Sequence, residues 1–269
     1  MNEEQNMINN IVDKIKNSQV HSEPFEHLII DNLLPNDLYK KIATELQEQD
    51  FYFNYKKGDY GGKERFAADI TDYSDWDNGD CNLQTKMHSV NYKKLLSTNS
   101  TNVINFTKCL TENHEKFYSA IYSKLLTERF SSDYFFHLSM VKDEIGYKIA
   151  PHTDAEMNIF TILFYAPLSD INKNFGLHVY HSENGKPPSG KNLDFIPNRM
   201  IIFAPSKLNE ERPPTWHEVK KISNELIGSR NSFQMFFYGK SSPKRIKNLK
   251  IARAHRLRVA KLLRRKHVK

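Results

Sequence analysis

The stretch that decides the fold is residues 146–165, which read GYKIAPHTDAEMNIFTILFY. Two apolar segments flank a polar turn here, and His152 and Asp154 stand two positions apart beside that turn. Because side chains at i and i+2 of an extended chain point to the same side, both can reach one metal ion. The His-x-Asp/Glu pattern also occurs at His21 and His181, but neither lies between apolar strands. Context therefore selects His152 and Asp154.

A useful metal site needs a third ligand, and the best candidate is His217 in the sequence TWHEVKKI. We call His152, Asp154 and His217 the triad. Two histidines and one carboxylate on one side of a metal leave three coordination positions open, which suits Fe(II) oxygen chemistry. A structural zinc ion would instead be closed by four ligands. Two other interpretations stay open: a hydrogen-bonded polar cluster inside a sandwich, and an iron-free, cupin-like binding protein.

An arginine thirteen residues beyond His217 offers a binding site for an anion. Arg230 lies in GSRNSFQMFFYGK, and on an extended strand it shares one face with Ser232 and Gln234. A guanidinium on a buried polar face can hold a carboxylate through two parallel hydrogen bonds, and the Ser232 hydroxyl can add another. Arg199 is the alternative clamp, but its place before the apolar MIIF segment is more typical of a turn residue.

The C-terminal half consists of short segments rich in Ile, Phe, Val and Tyr, separated by turn sequences such as SDINKN and NEERPP. Eight segments of this kind predict a barrel or a sandwich with helices on one face. They cover residues 134–141, 145–152, 158–166, 175–181, 192–196, 199–204, 215–222 and 230–238.

The N-terminal half predicts mainly helices. Residues 1–20 read as a polar, helical lead, and a short apolar strand follows within 24–35. Asn36 is placed to cap a helix that runs to about Gln47. The longest helical pattern covers residues 103–129.

Residues 54–83 contain few aliphatic side chains and predict a long loop. This loop is either a lid over the site or a plain surface loop, and its candidate lid residues are Tyr60, Gly61, Gly62, Arg65 and Trp76. We divide the chain into a helical flank with this loop (1–133), a β core (134–239) and a basic tail (240–269).

Charge is distributed unevenly along the 269 residues, whose net charge is +7. Residues 240–269 hold 13 Lys/Arg and no Asp/Glu, so the other 239 residues carry 26 basic and 32 acidic side chains. The body is therefore mildly acidic and the tail strongly basic, with a ragged apolar stripe at helical spacing. Such a tail predicts a helix that binds a polyanion, either RNA or DNA or an acidic surface, or else a solvated extension.

Composition excludes several classes of protein. The absence of an uninterrupted apolar run of about 18 residues excludes a transmembrane helix, and the polar start MNEEQNMINN does not read as a signal peptide. Cys81 and Cys109 are too few for a disulfide scaffold or a cysteine zinc site, so we expect ordinary thiols. We therefore expect a soluble, cytoplasmic protein from a reducing compartment.

Six pieces of the sequence together carry a resemblance to a known family. They are GYKIAPHTD, TILFYAP, FGLHVYH, IPNRMIIFAPS, WHEV and RNSFQMFFYG, in that order within about residues 134–239. This region resembles the Fe(II)/2-oxoglutarate-dependent dioxygenases, and it is most similar to their prolyl 4-hydroxylase-like branch. The segment PFEHLIIDNLLPNDLYKKI is similar to the lead-in of bacterial and viral members. FGLHVYH departs from the Gly-Gly-Glu/Asp-Leu stretch that many relatives carry.

The resemblance implies a fold class and a set of site residues. The fold is α+β with a mainly β core: a double-stranded β-helix of the jelly-roll or cupin kind, with flanking N-terminal helices and a basic C-terminal helical tail. The triad would hold Fe(II), and Arg230 and Ser232 would bind 2-oxoglutarate. Tyr147 stands where members often carry a tyrosine near the cosubstrate, and Thr161 is a further candidate for that pocket.

The implied activity is hydroxylation of an unactivated C–H bond, coupled to oxidative decarboxylation of 2-oxoglutarate by O₂, with ascorbate as reductant. Asp154 favours hydroxylation over halogenation, because halogenases of this superfamily lack the carboxylate ligand. The substrate is left open among a protein or peptide residue such as proline, a free amino acid and a glycan, and we favour the first. The alternative function is a nucleic-acid- or ribosome-associated binding protein with a non-catalytic, cupin-like core and a basic tail.

Overall fold

The chain forms two antiparallel sheets and a layer of helices. A computed structural model describes residues 3–48, 53–54, 64–71, 90–125, 134–154, 158–181, 190–206 and 212–239. Within these ranges the strands are β1 (Val20–His21), β2 (His27–Ile30), β3 (Phe53–Asn54), β4 (Arg65–Asp69), β5 (Tyr134–Asp143), β6 (Ile149–His152), β7 (Asn158–Tyr165), β8 (Leu177–Tyr180), β9 (Gly190–Leu193), β10 (Met200–Phe203), β11 (His217–Val219) and β12 (Arg230–Gly239). The larger sheet has the order β1-β2-β10-β7-β12-β5-β4-β3, and the smaller has the order β6-β11-β8-β9.

The helices of the described ranges all precede β5. They are α1 (Glu3–Asn17), α2 (Asn36–Glu48), α3 (Val90–Leu96), α4 (Thr101–Glu112) and α5 (His114–Tyr122), and a 3₁₀ segment follows later at Asp170–Phe175. The predicted lead helix and the helix predicted to run to about Gln47 are confirmed. Asn36 is the first residue of α2 rather than its cap, because the Pro35 carbonyl oxygen accepts the first helical hydrogen bond, from the Tyr39 N–H. None of these helices is both long and apolar enough to cross a bilayer.

Alternation along the central strands gives the larger sheet two different faces. On its outer face, Phe233, Met235 and Phe237 of β12 are fully buried beneath the helices, and the Phe106 ring of α4 lies 5.0 Å from that of Phe233. Burying a side chain of this size stabilises the fold by about 1.5–3 kcal/mol. The inner face looks toward the smaller sheet, and a second apolar cluster there includes Leu163. The predicted core of two sheets, with helices packed on one face, is therefore confirmed.

The predicted helix over residues 103–129 is wrong in extent, because α4 and α5 are separate helices. Between them, Asn113 has φ −115° and ψ 21°, outside the helical region. Its side-chain Nδ2 donates to the Cys109 carbonyl oxygen at 3.0 Å, which is also the acceptor of its backbone N–H. An asparagine amide that competes for a backbone carbonyl in this way favours a helix end.

The predicted loop over residues 54–83 is also wrong in part, since β4 lies within it. Arg65 is a buried strand residue rather than part of an exposed lid. The strand escaped notice because its inward side chains (Arg65, Ala67 and Asp69) do not form an apolar face. The other candidate lid residues lie outside the described residues: Tyr60, Gly61, Gly62 and Trp76.

All eight strands predicted after residue 133 are present, with ends shifted by a few residues; the segment predicted at 192–196 forms β9 at Gly190–Leu193. The larger sheet also includes β2 and β4 from the N-terminal part of the chain. The division of the chain at residues 133 and 239 stays a prediction, and the basic tail (240–269) lies outside the described residues.

Candidate metal centre

Strand pairing in the smaller sheet brings two histidines side by side. His152 ends β6, His217 begins β11, and the two are direct register partners. Their ring centroids are 4.3 Å apart. Asp154 follows β6 by two residues, so the same strand end supplies a carboxylate. Antiparallel pairing thus joins two distant parts of the chain in one cluster.

The triad is compact enough to hold one metal ion. One ligand atom of each residue lies within 4.8 Å of the others. Nε2 of His152 is 3.8 Å from Oδ1 of Asp154, and Nε2 of His217 is 3.7 Å from the same oxygen. These separations exceed direct hydrogen bonds and suit atoms that share a cation. Among the described residues no other group of His, Cys, Asp and Glu side chains meets this geometry.

Backbone carbonyl groups fix which nitrogen each histidine presents. Nδ1 of His152 lies 2.9 Å from the Ala150 oxygen, and Nδ1 of His217 lies 2.8 Å from the Thr215 oxygen. A carbonyl oxygen can only accept, so Nδ1 carries the proton and donates in both rings. Each Nε2 is then the ring nitrogen left to bind a metal, on the side where Oδ1 of Asp154 lies 3.7–3.8 Å away. This arrangement orients imidazole ligands before a metal binds.

Thr161 on β7 holds the carboxylate of the triad. Its Oγ1 donates to Oδ2 of Asp154 at 2.5 Å, and Nδ2 of Asn158 donates to the Thr161 hydroxyl at 2.7 Å. With Oδ2 engaged, Oδ1 faces the two histidines as a single ligand atom. Thr161 therefore contacts a triad residue in this structure, and its predicted role toward the cosubstrate stays a prediction.

The three side chains of the triad differ in solvent exposure. The side chain of His217 is 6% exposed, that of Asp154 15% and that of His152 26%. Burial lowers the pKa of His217, and the neighbouring His152 acts in the same direction against the opposing charge of Asp154. A neutral imidazole is the form that binds a metal. His152 is the most exposed of the three residues.

The triad stands above the inner face of the larger sheet. On this face Thr161 is the register partner of Phe203 on β10 and of Phe236 on β12. The ring of Phe203 lies 5.0 Å from that of His217 and packs beneath the triad. Phe236 is therefore one strand away from the residue that holds Asp154. It forms the next part of the wall beside the metal centre.

The inner face of β12 is open at one end and closed at the other. Arg230 and Ser232 are buried, whereas the inward residues beyond them are partly exposed: Gln234, Phe236 and Tyr238. At the open end the rings of Phe236 and Tyr238 lie 5.5 Å apart at an angle of 11°. The metal centre is level with the exposed aromatic end, and Arg230 closes the opposite end.

Arg230 is held by groups of the protein itself. Its Nη1 donates to Oδ2 of Asp143 at 2.7 Å, and its Nε donates to the Phe175 carbonyl oxygen at 2.7 Å. Arg65 donates to the same carboxylate through Nε at 2.6 Å and Nη2 at 2.9 Å. One carboxylate therefore serves two guanidinium groups. Arg230 still has N–H donors beyond these two contacts, because a guanidinium has five.

The surroundings of Arg230 suit a carboxylate ligand. Ser232, two residues along the same face, has a buried hydroxyl without a hydrogen-bond partner in the described structure. The ring of Tyr147 lies 4.2 Å from the guanidinium carbon of Arg65, and the ring of Tyr165 lies 5.4 Å from that of Arg230. A buried hydroxyl without a protein partner is available to a ligand or to a water molecule. Tyr147 thus lines this end of the inner face.

The alternative candidates lie elsewhere. Arg199 pairs with Asp31 through Nε at 2.6 Å and Nη2 at 2.9 Å, so its guanidinium already has a carboxylate partner. His181 pairs with Glu23 at 3.0 Å at the surface. His178 lies on β8 and does not belong to the triad.

Sequence reasoning missed Asn158 and Asp143, and it gave Arg65 a different role, as a lid residue. Asn158 supports Thr161, Asp143 supports Arg230, and Arg65 supports Asp143. The one available signal was an aspartate that ends a long apolar strand in MVKD, where a buried charge requires a partner. Nothing in the sequence indicates that its partner lies 78 residues earlier.

Comparison with solved structures finds the same architecture in a prolyl-4-hydroxylase from Pseudomonas putida. The two are 13% identical, and the alignment covers 87% of this chain and 100% of that one, with a TM-score of 0.50. The chain has the fold of a prolyl-4-hydroxylase. The predicted resemblance is confirmed at the level of the fold, and at this identity the reaction must be argued from the site.

A 2OG-Fe(II) oxygenase family oxidoreductase from Burkholderia pseudomallei aligns with 86% of this chain and 89% of its own, at 12% identity and a TM-score of 0.46. No protein-family model and no curated protein matches the sequence.

Proposed function

We propose that this protein is an Fe(II)- and 2-oxoglutarate-dependent dioxygenase that hydroxylates an unactivated C–H bond. The observation that carries the proposal is the triad, in which two Nε2 lone pairs and one carboxylate oxygen converge within 4.8 Å. Two nitrogens and one oxygen on one face are a donor set for Fe(II), with positions left for cosubstrate and O₂. The bound iron would supply the oxygen chemistry that side chains alone lack.

The residues of this chain would position the reactants. Ala150 and Thr215 carbonyl groups orient the two imidazoles, and Thr161 fixes the carboxylate. Because these groups are already arranged, little reorganisation is required when the metal binds. Phe203 and the rest of the apolar inner face exclude water from the buried side of the triad.

The cosubstrate would lie between the triad and Arg230. Its 2-oxo acid end belongs at the metal, and its distal carboxylate belongs beside Arg230 and Ser232, where a buried hydroxyl lacks a partner. A planar guanidinium recognises a carboxylate better than a point charge does. Tyr147 would line the same end. We expect ascorbate to support activity by keeping the iron ferrous.

For the substrate we propose a protein or peptide residue such as proline, rather than a free amino acid or a glycan. The partly exposed rings of Phe236 and Tyr238 support this choice, since an apolar ring of the substrate can lie against them. They stand beside the metal centre and away from the end assigned to the cosubstrate. The substrate therefore has its own part of the inner face.

Succinate release tests the proposed activity. The Fe(II)-loaded protein is incubated with 2-oxoglutarate, ascorbate and O₂, and we expect slow succinate formation that His152→Ala and Asp154→Ala abolish. His178→Ala is the matched control, since it removes a histidine outside the triad and should retain wild-type turnover. Under anaerobic conditions, 2-oxoglutarate should give the Fe(II)-loaded protein a visible charge-transfer band. If neither succinate nor this band is observed, the dioxygenase assignment is wrong.

We also propose that residues 240–269 bind a polyanion, because they carry 13 Lys/Arg without a compensating acid. Binding to RNA should weaken steeply as salt rises, owing to counterion release. A variant that ends at Gly239 should lose this binding and keep 2-oxoglutarate turnover. Polyanion binding by a full-length protein that lacks turnover would favour the alternative function, a nucleic-acid- or ribosome-associated protein with a non-catalytic core.

A further inference from the structure

Three charged residues form a row across three strands of the larger sheet. Arg65 on β4 is the register partner of Asp143 on β5, and Asp143 is the register partner of Arg230 on β12. Direct cross-strand partners have Cβ atoms about 4.5–5.5 Å apart, so their side chains stand next to each other on the inner face. Arg65 is 8% exposed, Asp143 0% and Arg230 1%. Charged groups this deeply buried require fixed partners.

Arg65 determines the orientation of the shared carboxylate. It contacts both oxygens of Asp143, through Nε at 2.6 Å and Nη2 at 2.9 Å. A bidentate contact of this kind places the guanidinium and the carboxylate in one plane. Oδ2 of Asp143 also accepts a hydrogen bond from Nη1 of Arg230 at 2.7 Å. The bidentate contact of Arg65 therefore sets the direction of the hydrogen bond between Asp143 and Arg230.

Arg230 is in turn held by fixed groups of the protein. Asp143 accepts from Nη1, and the Phe175 carbonyl oxygen accepts from Nε. The Tyr165 hydroxyl is also a hydrogen-bonding partner of the Arg230 guanidinium. A guanidinium has five N–H donors, so Arg230 keeps donors for a ligand beyond these contacts. Ser232 lies on the same face two residues further along β12, and its buried hydroxyl has no partner in the described structure. An incoming carboxylate would satisfy this hydroxyl and add the negative charge that a single Asp143 cannot supply to two guanidinium groups.

We propose that Arg65 is a positioning residue of the cosubstrate site, which acts through Asp143 to hold Arg230 ready for the distal carboxylate of 2-oxoglutarate. The inference rests on the proposed function. It assigns a role in cosubstrate binding to β4, a segment far from the triad in sequence. Arg65 itself does not need to touch the cosubstrate.

The test measures 2-oxoglutarate binding by calorimetry with the full-length protein loaded with Mn(II), which occupies the triad without turnover. Arg65→Gln removes the bidentate hydrogen bonds to Asp143. We expect the Kd for 2-oxoglutarate to rise about 10- to 100-fold, as for loss of a charge-assisted contact. Arg65→Lys keeps the charge without the planar fork, and it should fall between Arg65→Gln and the wild type. Thermal melting of each variant shows that it is folded.

Arg199→Gln is the matched control, because it removes a bidentate arginine–aspartate pair of the same lengths. It should bind 2-oxoglutarate like the wild type. Oxalate provides the second control, since it can chelate the metal but has no distal carboxylate, and Arg65→Gln should bind it with unchanged affinity.

Two results would overturn the role of Arg65 alone: wild-type affinity for 2-oxoglutarate in Arg65→Gln, or an equal loss for 2-oxoglutarate and oxalate. The first would show that Arg230 needs no support, and the second would show general damage to the site. A wild-type protein that binds Mn(II) but not 2-oxoglutarate would instead refute the proposed function, and the inference with it.

Discussion

Thr161→Val tests whether the larger sheet controls the metal centre. The Thr161 hydroxyl donates to Oδ2 of Asp154 at 2.5 Å and accepts from Asn158 at 2.7 Å. Valine has nearly the same shape as threonine but no hydroxyl. Without that donor, Oδ2 of Asp154 is no longer engaged, and Oδ1 is no longer fixed as the one oxygen that faces the histidines. Loss of such an outer partner typically weakens metal binding about 10- to 100-fold. At about 1.4 kcal/mol for each factor of ten, this corresponds to about 1.4–2.8 kcal/mol of metal-binding free energy.

The assay is a titration of Mn(II) or Fe(II) into the metal-free protein, together with urea unfolding. Thr107→Val is the matched control: Thr107 is also fully buried, and its hydroxyl donates to the Val103 carbonyl oxygen at 2.9 Å within α4. Each variant loses one buried hydroxyl, which should cost about 1 kcal/mol of stability. Only Thr161→Val should lose metal affinity. Metal binding within twofold of wild type in a folded Thr161→Val protein would refute the reasoning that Thr161 orients Asp154.

Three further predictions concern stability. Burial lowers the pKa of His27 from 6.5 to about 4, so between these values the unfolded chain binds a proton that the folded chain does not. Stability should therefore fall by about 2 kcal/mol from pH 6.5 to pH 4.5, and urea unfolding of His27→Phe should show a weaker pH dependence. Asp143→Ala leaves two buried guanidinium groups without their shared carboxylate and should cost about 3–5 kcal/mol in the same assay, and a loss below about 1 kcal/mol would contradict the burial argument. Phe106→Ala should cost about 3–5 kcal/mol through the cavity beneath α4, while metal affinity stays at the wild-type value.

The triad was predictable because its chemistry is local. His152 and Asp154 are two residues apart at a strand end, so the period of an extended chain places them together before any tertiary structure is known. His217 required one further assumption, that its strand pairs with β6, and the register of that pair brings it beside His152. The strands were predictable for a similar reason, since short apolar segments between turns carry their own signal.

The support of Arg230 was not predictable, because it depends on pairing between distant strands. Asp143 and Arg230 are 87 residues apart, and Arg65 lies in a segment whose inward side chains do not form an apolar face. Without an apolar inward face, the alternation by which strands are recognised is absent. The break at Asn113 was missed for another reason: the apolar period continues across it, while a side-chain hydrogen bond ends the helix.

The two faces of β12 show that the site and the core are specified together. Phe233, Met235 and Phe237 point to the helices, which places Arg230 and Ser232 on the inner face. A slip of one residue against β7 would bury the guanidinium among the helices and turn the phenylalanines toward the metal centre. The apolar contacts beneath the helices therefore stabilise the register of β12 against β7. This register places Arg230 at the closed end of the inner face. Packing on one face of the sheet determines where an anion can bind on the other.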